Sequence, residues 1–240
     1  DWVVARLRDD LGIEDADAAL TAMNQAPSPT VRADGYVQDL GSQLVAELVG
    51  ATQGETVLDL CAAPGGKATA MAGVGALVVA ADLQPQRVGL VRTNVERLGA
   101  DRVRLVVADA ARPPFRPGAA DRVLLDAPCS GLGVLRRRPD ARWRLEPAAV
   151  DRLAVLQCRL LDAAVALVRP GGVLVYSVCT LSSAETLGVD EHVGHAHPAL
   201  EPLPPPGAPW QPWGRGAILL PQRAGTDGMF IARYRVPGAT

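Results

Sequence analysis

From residue 55 onward the chain alternates short apolar runs of strand length with longer amphipathic stretches, and this rhythm restricts the fold more than any single residue does. The runs TVLDL (56–60), ALVVAAD (76–82), RVRLVVA (102–108), DRVLLD (121–126) and GVLVYSV (172–178) read as strands. Helical patterning covers 65–73, 85–98, 146–168 and 183–194. Strands separated by helices form βαβ crossovers, so the expected fold is α/β: a mostly parallel sheet with helices on both faces. Near the end, AILL and GMFIARYRV, joined by PQRAGTD, predict an antiparallel hairpin at the end of that sheet. The Pro-rich stretch before them, HPALEPLPPPGAPWQPWG, reads as a long irregular connection. DWVVARLRDDLG and DADAALTAMNQ predict two short helices, and YVQDLGSQLVAELVG a third after the linker PSPTVRADG. The expected division is an N-terminal helical segment, 1–34, and one large α/β domain, 35–240.

Composition excludes several classes. With 48% hydrophobic and 21% charged residues the chain is globular in character, and no apolar run approaches a membrane span. A net charge of −2 gives no global attraction to nucleic acid. Locally, residues 131–160 hold Arg136, Arg137, Arg138, Arg142, Arg144, Arg152 and Arg159 against Asp140, Glu146 and Asp151, a net of +4. That patch fits a phosphate backbone, or equally a solvated helix face.

VLDLCAAPGGKATAMA is a strand, a tight turn and a helix start, the place where open α/β sheets bind ligands. Gly65 and Gly66 would let the backbone approach a ligand, and the helix offers free N–H groups. Cys61 and Ala68 stand where a phosphate-binding Walker loop needs Gly and Ser or Thr, and the GxGxxG pattern of NAD sites is missing. Asp82, ending the second strand, is spaced to accept from a ribose diol, and Asp109, ending the third, to meet the base; the alternative is that both just start loops. A nucleoside without polyphosphate fits best, and S-adenosylmethionine is the candidate. Lys67 is the chain's only lysine, which suggests that a compact ammonium is needed there.

The cysteines are Cys61, Cys129, Cys158 and Cys179. None forms a CxxC pair or has a histidine at ligand spacing, so no metal is expected. Without a secretory signal they point to a reducing compartment, the cytoplasm. Cys158, on a helix, reads as packing. Cys129 (DAPCSG) and Cys179 (YSVCTL) sit past the fourth and fifth strands, where adjacent strand ends would bring both thiols to the functional rim. SSAE (182–185) reads as a capping box whose helix would acidify Cys179 by one to two units, roughly 1.4–2.7 kcal/mol toward the thiolate. A thiolate added at cytosine C6 makes C5 enamine-like and able to accept a methyl group. Asp126 is placed to stabilise the charge that develops beside N3 and N4. Two thiols then make sense, one to attack and one to assist release; spacing alone does not say which.

LDLCAAPGGK, DAPCSGLGVLRRRPDARW, YSVCTL…AET, VQDLGSQLVAEL and GTDGMFIARY together resemble the Sun/Fmu (RsmB-type) RNA cytosine-5 methyltransferases, over about residues 36 to 235. The resemblance implies a class I, Rossmann-like methyltransferase fold with S-adenosyl-L-methionine as cofactor. Cys61, Ala62, Ala63, Pro64, Gly65, Gly66 and Lys67 would line its methionine end, Asp82 the ribose and Asp109 the adenine region. Asp126 would lie near both cofactor and base, with Cys179 as nucleophile and Cys129 assisting release. The substrate implied is RNA, 16S ribosomal RNA first and tRNA as the alternative. The chain departs from the family where PTVRADGYVQD replaces a substantial RNA-binding segment, leaving 1–34 as its remnant, and where CTLSS replaces the usual TCS context. An antitermination-factor-like domain is also unrepresented.

Rival readings are a catalytically silent RNA-binding scaffold, a small-molecule methyltransferase and a dehydrogenase. Retention of both thiols with Asp126 disfavours the first, the paired thiols and arginine patch the second, and the glycine pattern the third. His192, His195 and His197 read as a solvated helix end without a carboxylate partner. Trp143 is either a base-stacking platform or sheet packing, and Trp210 and Trp213 are lid or packing residues. Nothing in the pattern specifies an oligomer.

Overall fold

The computed structural model describes residues 1–238. Helices α1 (Trp2–Leu11), α2 (Ile13–Met23) and α3 (Leu40–Val49) precede the α/β body. There follow β1 (Thr56–Asp59), α4 (Gly66–Gly73), β2 (Leu77–Asp82), α5 (Pro85–Leu98), β3 (Val103–Val107) and β4 (Ala120–Asp126). Short α6 (Ala141–Arg144), long α7 (Pro147–Val165), β5 (Val168–Val178) and α8 (Leu187–Ala196) come next. The chain closes with β6 (Glu201–Pro202), β7 (Gln211–Trp213), β8 (Gly216–Leu219), α9 (Pro221–Ala224) and β9 (Met229–Arg235).

The sheet order is β3-β2-β1-β4-β5-β9-β8-β7, with β6 also on β9. The first five strands pair in parallel, and β9, β8 and β7 add antiparallel. The expected α/β class and C-terminal hairpin are therefore both present. After β1 the chain winds outward through β2 to β3, then returns beside β1 as β4. The β1/β4 boundary is thus the switch point, where a crevice opens beyond the strand ends.

Helices bury both faces. α7 and α8 pack Leu160, Leu161, Ala164, Val189 and Val193 against Val123, Leu125, Tyr176 and Phe230. α3, α4 and α5 pack Val45, Val49, Met71 and Val91 against Val57, Val78, Leu124 and Val175. α5 runs over 85–98 as its pattern predicts, with Pro85 in its first turn and Gly99 in a left-handed cap.

Two expectations need amending, and the reading of Trp210 and Trp213 as lid or packing residues is decided for packing. Residues 183–194 are not one helix: Ser183–Glu185 form a 3-10 turn and α8 begins at Leu187. The Pro-rich connection supplies β6 and β7, and Pro212 is tolerated because β7 is the sheet edge. Trp210 is buried, and Trp213 donates Nε1–H to Thr186 Oγ1 at 3.3 Å, so both are packing residues.

The helices of the N-terminal segment share a core with the loops beyond the sheet. Val3, Leu7, Ala16, Ala19 and Met23 cluster with Leu132, Leu135, Leu181, Ile218 and Leu220. Asp10 accepts from the Ser183 amide at 3.1 Å, and Gln222 Nε2 donates to Asp15 Oδ1 at 3.1 Å. Leu132 follows Cys129 by three positions and Leu181 follows Cys179 by two. The N-terminal helices thus brace both cysteine loops.

Candidate active site

Two cavities meet at the switch point. The larger, about 670 Å³, is lined by Leu60, Asp82, Leu83, Asp109, Ala110, Pro128, Cys129 and Leu160. The smaller, about 290 Å³, is lined by Tyr36, Gln38, Asp59, Ala62, Gly66, Lys67, Arg137 and Asp227. Cys61, Ala63, Pro64, Asp126, Arg138 and Cys179 line both, so they form the shared wall.

The cysteines meet as the strand ends predict. Parallel pairing of Asp126 with Ser177 sets the loops after β4 and β5 side by side, and the Cys129 and Cys179 sulfurs lie 3.2 Å apart, both half-buried. The hydrogen bond with Cys179, burial, and the charges of Cys179 and Glu185 together push the Cys129 thiol well above its ordinary value. Burial likewise pushes up Cys61. Cys158 is half-buried against the α7–α8 core.

Lys67 reaches from the first turn of α4 to Asp126, with Nζ 2.6 Å from Oδ2. Burial works against its charge, but Asp126 outweighs that penalty and the ammonium is held above its ordinary value; the charge of Cys179 acts in the same direction. Lys67 therefore lines the smaller cavity, while Ala63 and Pro64 reach the larger. The two glycines serve packing. A Cβ on Gly65, at φ 104°, would meet Val91 at 2.9 Å, and one on Gly66 would meet Tyr36 at 2.9 Å and Gln38 at 3.0 Å. Gly66 still borders the smaller cavity, whereas Gly65 turns its open side to α5.

Asp82 and Asp109 both line the larger cavity. Asp82 accepts from the Ala63 amide at 3.2 Å and from Arg87 Nε at 3.2 Å, while Asp109 accepts from the Ala111 amide at 2.9 Å. Asp82 thus ties the loop after β1 to α5, Asp109 bonds its own loop, and both border the space a nucleoside needs.

Sequence reading missed Asp59. It is 1% exposed, one carboxylate oxygen has no hydrogen-bond partner, and burial, then the nearby Asp126, raises its pKa to about 7. The available signal was an acid within the apolar run VLDL. It also missed Glu185 and Asp227. SSAE is not a capping box, because Ser182 makes no side-chain cap and Glu185 points inward instead. The cation beside Cys179 is Lys67, not a helix terminus.

The arginine patch divides. Arg136 and Arg137 are consumed by a buried network with Asp39 and Asp227, with contacts of 2.6–3.0 Å. Arg138 lines both cavities, and Arg144 lines the larger while pairing with Asp140. Trp143, beside them, is 87% exposed and packs on no sheet. The histidines do have a carboxylate: Asp162 Oδ1 lies 2.8 Å from His192 Nε2 and 2.7 Å from His197 Nε2. Among the described residues no cluster of three or more such side chains is arranged to hold a metal ion, and no helix is long and apolar enough to cross a membrane.

The larger cavity has the size of a nucleoside cofactor site. Asp82 ends β2 and Asp109 follows β3 at its rim, while Asp59, with its unbonded oxygen, lines the smaller cavity. Asp82 and Asp109 fit S-adenosylmethionine, whose adenosine they would hold. The fold and the site are those of the Rossmann-like, S-adenosylmethionine-dependent methyltransferases. The family described as 16S rRNA methyltransferase RsmB/F matches residues 46–235, and the chain belongs to it.

A ribosomal RNA small subunit methyltransferase B of Thermus thermophilus is 42% identical over 199 residues, covering 82% of this chain and 49% of its own length. The crystal structure of PH0851 superposes with a TM-score of 0.90 at 26% identity, covering 97% of this chain and 65% of that one. NSun6 from Pyrococcus horikoshii, solved with SFG, gives a TM-score of 0.73 at 31% identity over 83% of this chain and 52% of its own. The chain spans about half the length of the curated relatives it matches.

Proposed function

We propose that the protein methylates C5 of a cytosine in RNA, 16S ribosomal RNA first, through a covalent bond between Cys179 and C6 of the base. The observation that carries this reading is the pair of sulfurs 3.2 Å apart, beside the Lys67–Asp126 pair, on the wall shared by the two cavities. The larger cavity suits the cofactor and the smaller a pyrimidine turned out of its stack. S-adenosylmethionine supplies an electrophilic methyl group. Cys179 attacks C6, with the Lys67 ammonium facing its sulfur, and the Asp126 carboxylate meets the N3/N4 edge as charge develops there. Once C5 carries the methyl group, solvent water takes the C5 proton, and the electron pair of that C–H bond re-forms the C5–C6 double bond and expels Cys179 as a thiolate. Cys129, 3.2 Å from that sulfur, assists release by donating its S–H to it.

The Thermus relative's name supports a ribosomal RNA substrate. Residues 35–240 would be the catalytic domain, acting in the cytoplasm, and 1–34 what the chain keeps of an RNA-binding region. The test is trapping of a denaturation-resistant protein–RNA adduct with S-adenosylmethionine and unmodified 16S RNA, tRNA being the parallel substrate. Accumulation in Cys129→Ser and loss in Cys179→Ser support the roles given. The reverse pattern gives the attack to Cys129. No adduct in any form, with cofactor bound, favours a silent scaffold.

A further inference from the structure

Glu185 is fully buried in the 3-10 turn after β5, yet its carboxylate belongs to both cysteine loops. Oε1 accepts from the Ser130 amide at 2.8 Å and from Gln157 Nε2 at 3.0 Å. Oε2 accepts from the Thr180 hydroxyl at 3.0 Å and from the Ser130 hydroxyl, and those two hydroxyl oxygens are 2.9 Å apart. Ser130 follows Cys129 directly, and Thr180 follows Cys179. Gln157 also donates to the Pro128 carbonyl at 2.9 Å, and Tyr176 donates to the Glu185 carbonyl at 2.8 Å. One carboxylate therefore ties the residues after both thiols to each other and to α7.

Hydroxyls and amides alone could align two loops, so a charge buried here needs a further reason. Among the described residues no cationic side chain pairs with Glu185, whereas Asp126 has Lys67. The two sulfurs thus lie between unlike charges: Glu185 acts on Cys129, and Lys67 on Cys179. A negative charge beside Cys129 disfavours its thiolate.

We propose that Glu185 is the positioning residue of the thiol pair, holding the Cys129 and Cys179 loops in contact and reserving Cys129 as the thiol that keeps its proton. The inference rests on the two-thiol reading above and supplies what spacing leaves open, the physical reason the thiols take different roles. The groups whose charges act with Cys129 include Cys179, Glu185 and Tyr176, and Cys61, Asp82, Arg87, Asp109, Asp126, Arg138 and Arg144 line the same cavity. The direction of the Cys129 shift agrees, with Glu185 among its causes.

The test is the rate of iodoacetamide alkylation of each cysteine against pH, resolved by peptide mass spectrometry, in wild type and Glu185→Gln. Wild type should label Cys179 ahead of Cys129. In E185Q the Cys129 midpoint should fall by about one pH unit, raising its rate at pH 8 about tenfold. A Cys129 profile unchanged in folded E185Q overturns the proposal. If E185Q does not fold, Cys179→Ser decides: burial and Glu185 together should still hold the Cys129 midpoint above the ordinary thiol value of about 8.5, and a midpoint at that value overturns it. Neither measurement uses RNA. A normal alkylation result without any adduct would sink the cytosine-5 reading alone, and a trapped adduct with unchanged alkylation would sink Glu185's role alone.

Discussion

Lys67 Nζ lies 2.6 Å from Asp126 Oδ2, joining the first turn of α4 to the end of β4 where the two cavities meet. Asp59 lies near enough for the charges of both to act on it. Three ionisable groups and the Cys179 sulfur thus share one wall, and the Lys67 charge acts on both Asp59 and Cys179 there. An ammonium on a slim stem reaches Asp126 from the first turn of α4 as a compact point charge.

Lys67→Met therefore leaves Asp126 and Asp59 as neighbouring carboxyls without a cation. We expect a loss of about 2–3 kcal/mol at pH 8, less than for a fully buried pair because Asp126 is 26% exposed. The loss should shrink at pH 5, where the carboxyls can take up protons instead. Methyl transfer should fall at least about 100-fold. Urea denaturation at both pH values and single-turnover rates measure this; an undiminished rate would remove Lys67 from the chemistry.

Asp59 gives a pH signature of opposite sign to an ordinary ion-paired carboxylate. Burial raises its folded pKa to about 7, whereas the unfolded chain has an aspartate near 3.9. Between those values the folded state holds the extra proton, so stability falls as pH rises from about 4 to 7, by at most about 4 kcal/mol. Asp59→Asn should lack this component and gain stability relative to wild type at pH 8. Parallel wild-type and Asp59→Asn curves from pH 5 to pH 8 would contradict it.

What the sequence makes legible is local. The alternation of strand and helix patterns gives the sheet; Pro85 and Gly99 bound α5; strand-end positions give Cys129, Cys179, Asp82, Asp109 and Asp126. What it hides depends on partners far along the chain. SSAE matches a capping box by spacing, but Glu185 is taken by Ser130, 55 positions earlier. Arg136 and Arg137 look like their phosphate-seeking neighbours until Asp39 and Asp227 fold against them. Asp59 looks like a strand end because its isolation appears only once β4 and α4 cover it.

That division of the arginines is testable. Arg136→Ala removes one side of a network in which Asp39 and Asp227 are almost fully buried, and should cost about 3 kcal/mol of stability. Arg138→Ala should leave stability within about 0.5 kcal/mol, weaken RNA binding and flatten its salt dependence by about one unit of slope. Trp143→Ala should also spare the fold and weaken RNA binding by about 1–3 kcal/mol, as loss of a stacked base would. Chemical denaturation and RNA titrations at several salt concentrations separate the three. An Arg136 variant of native stability would show that its network is dispensable.

Gly133 sets how closely the Cys129 loop can approach the rest of the site. Its amide donates to the Cys179 carbonyl at 3.1 Å, and its own carbonyl accepts from the Gly228 amide at 2.8 Å, tying the loops before β9 and after β4 and β5 together. A Cβ at Gly133 would collide with the Gly228 carbonyl and stand 3.0 Å from the Cys179 carbonyl oxygen, both backbone atoms that no rotamer change can move. Gly133→Ala must therefore push the loops apart or unfold them, and we expect a loss of about 2–4 kcal/mol. Because the displaced carbonyl belongs to Cys179 itself, the sulfur pair should open beyond its 3.2 Å contact. At a temperature where the variant stays folded, mild oxidation with diamide should cross-link Cys129 to Cys179 in wild type and do so much more slowly in Gly133→Ala. Equal cross-linking rates, with equal stability, would mean that the glycine contact does not set the distance between the thiols.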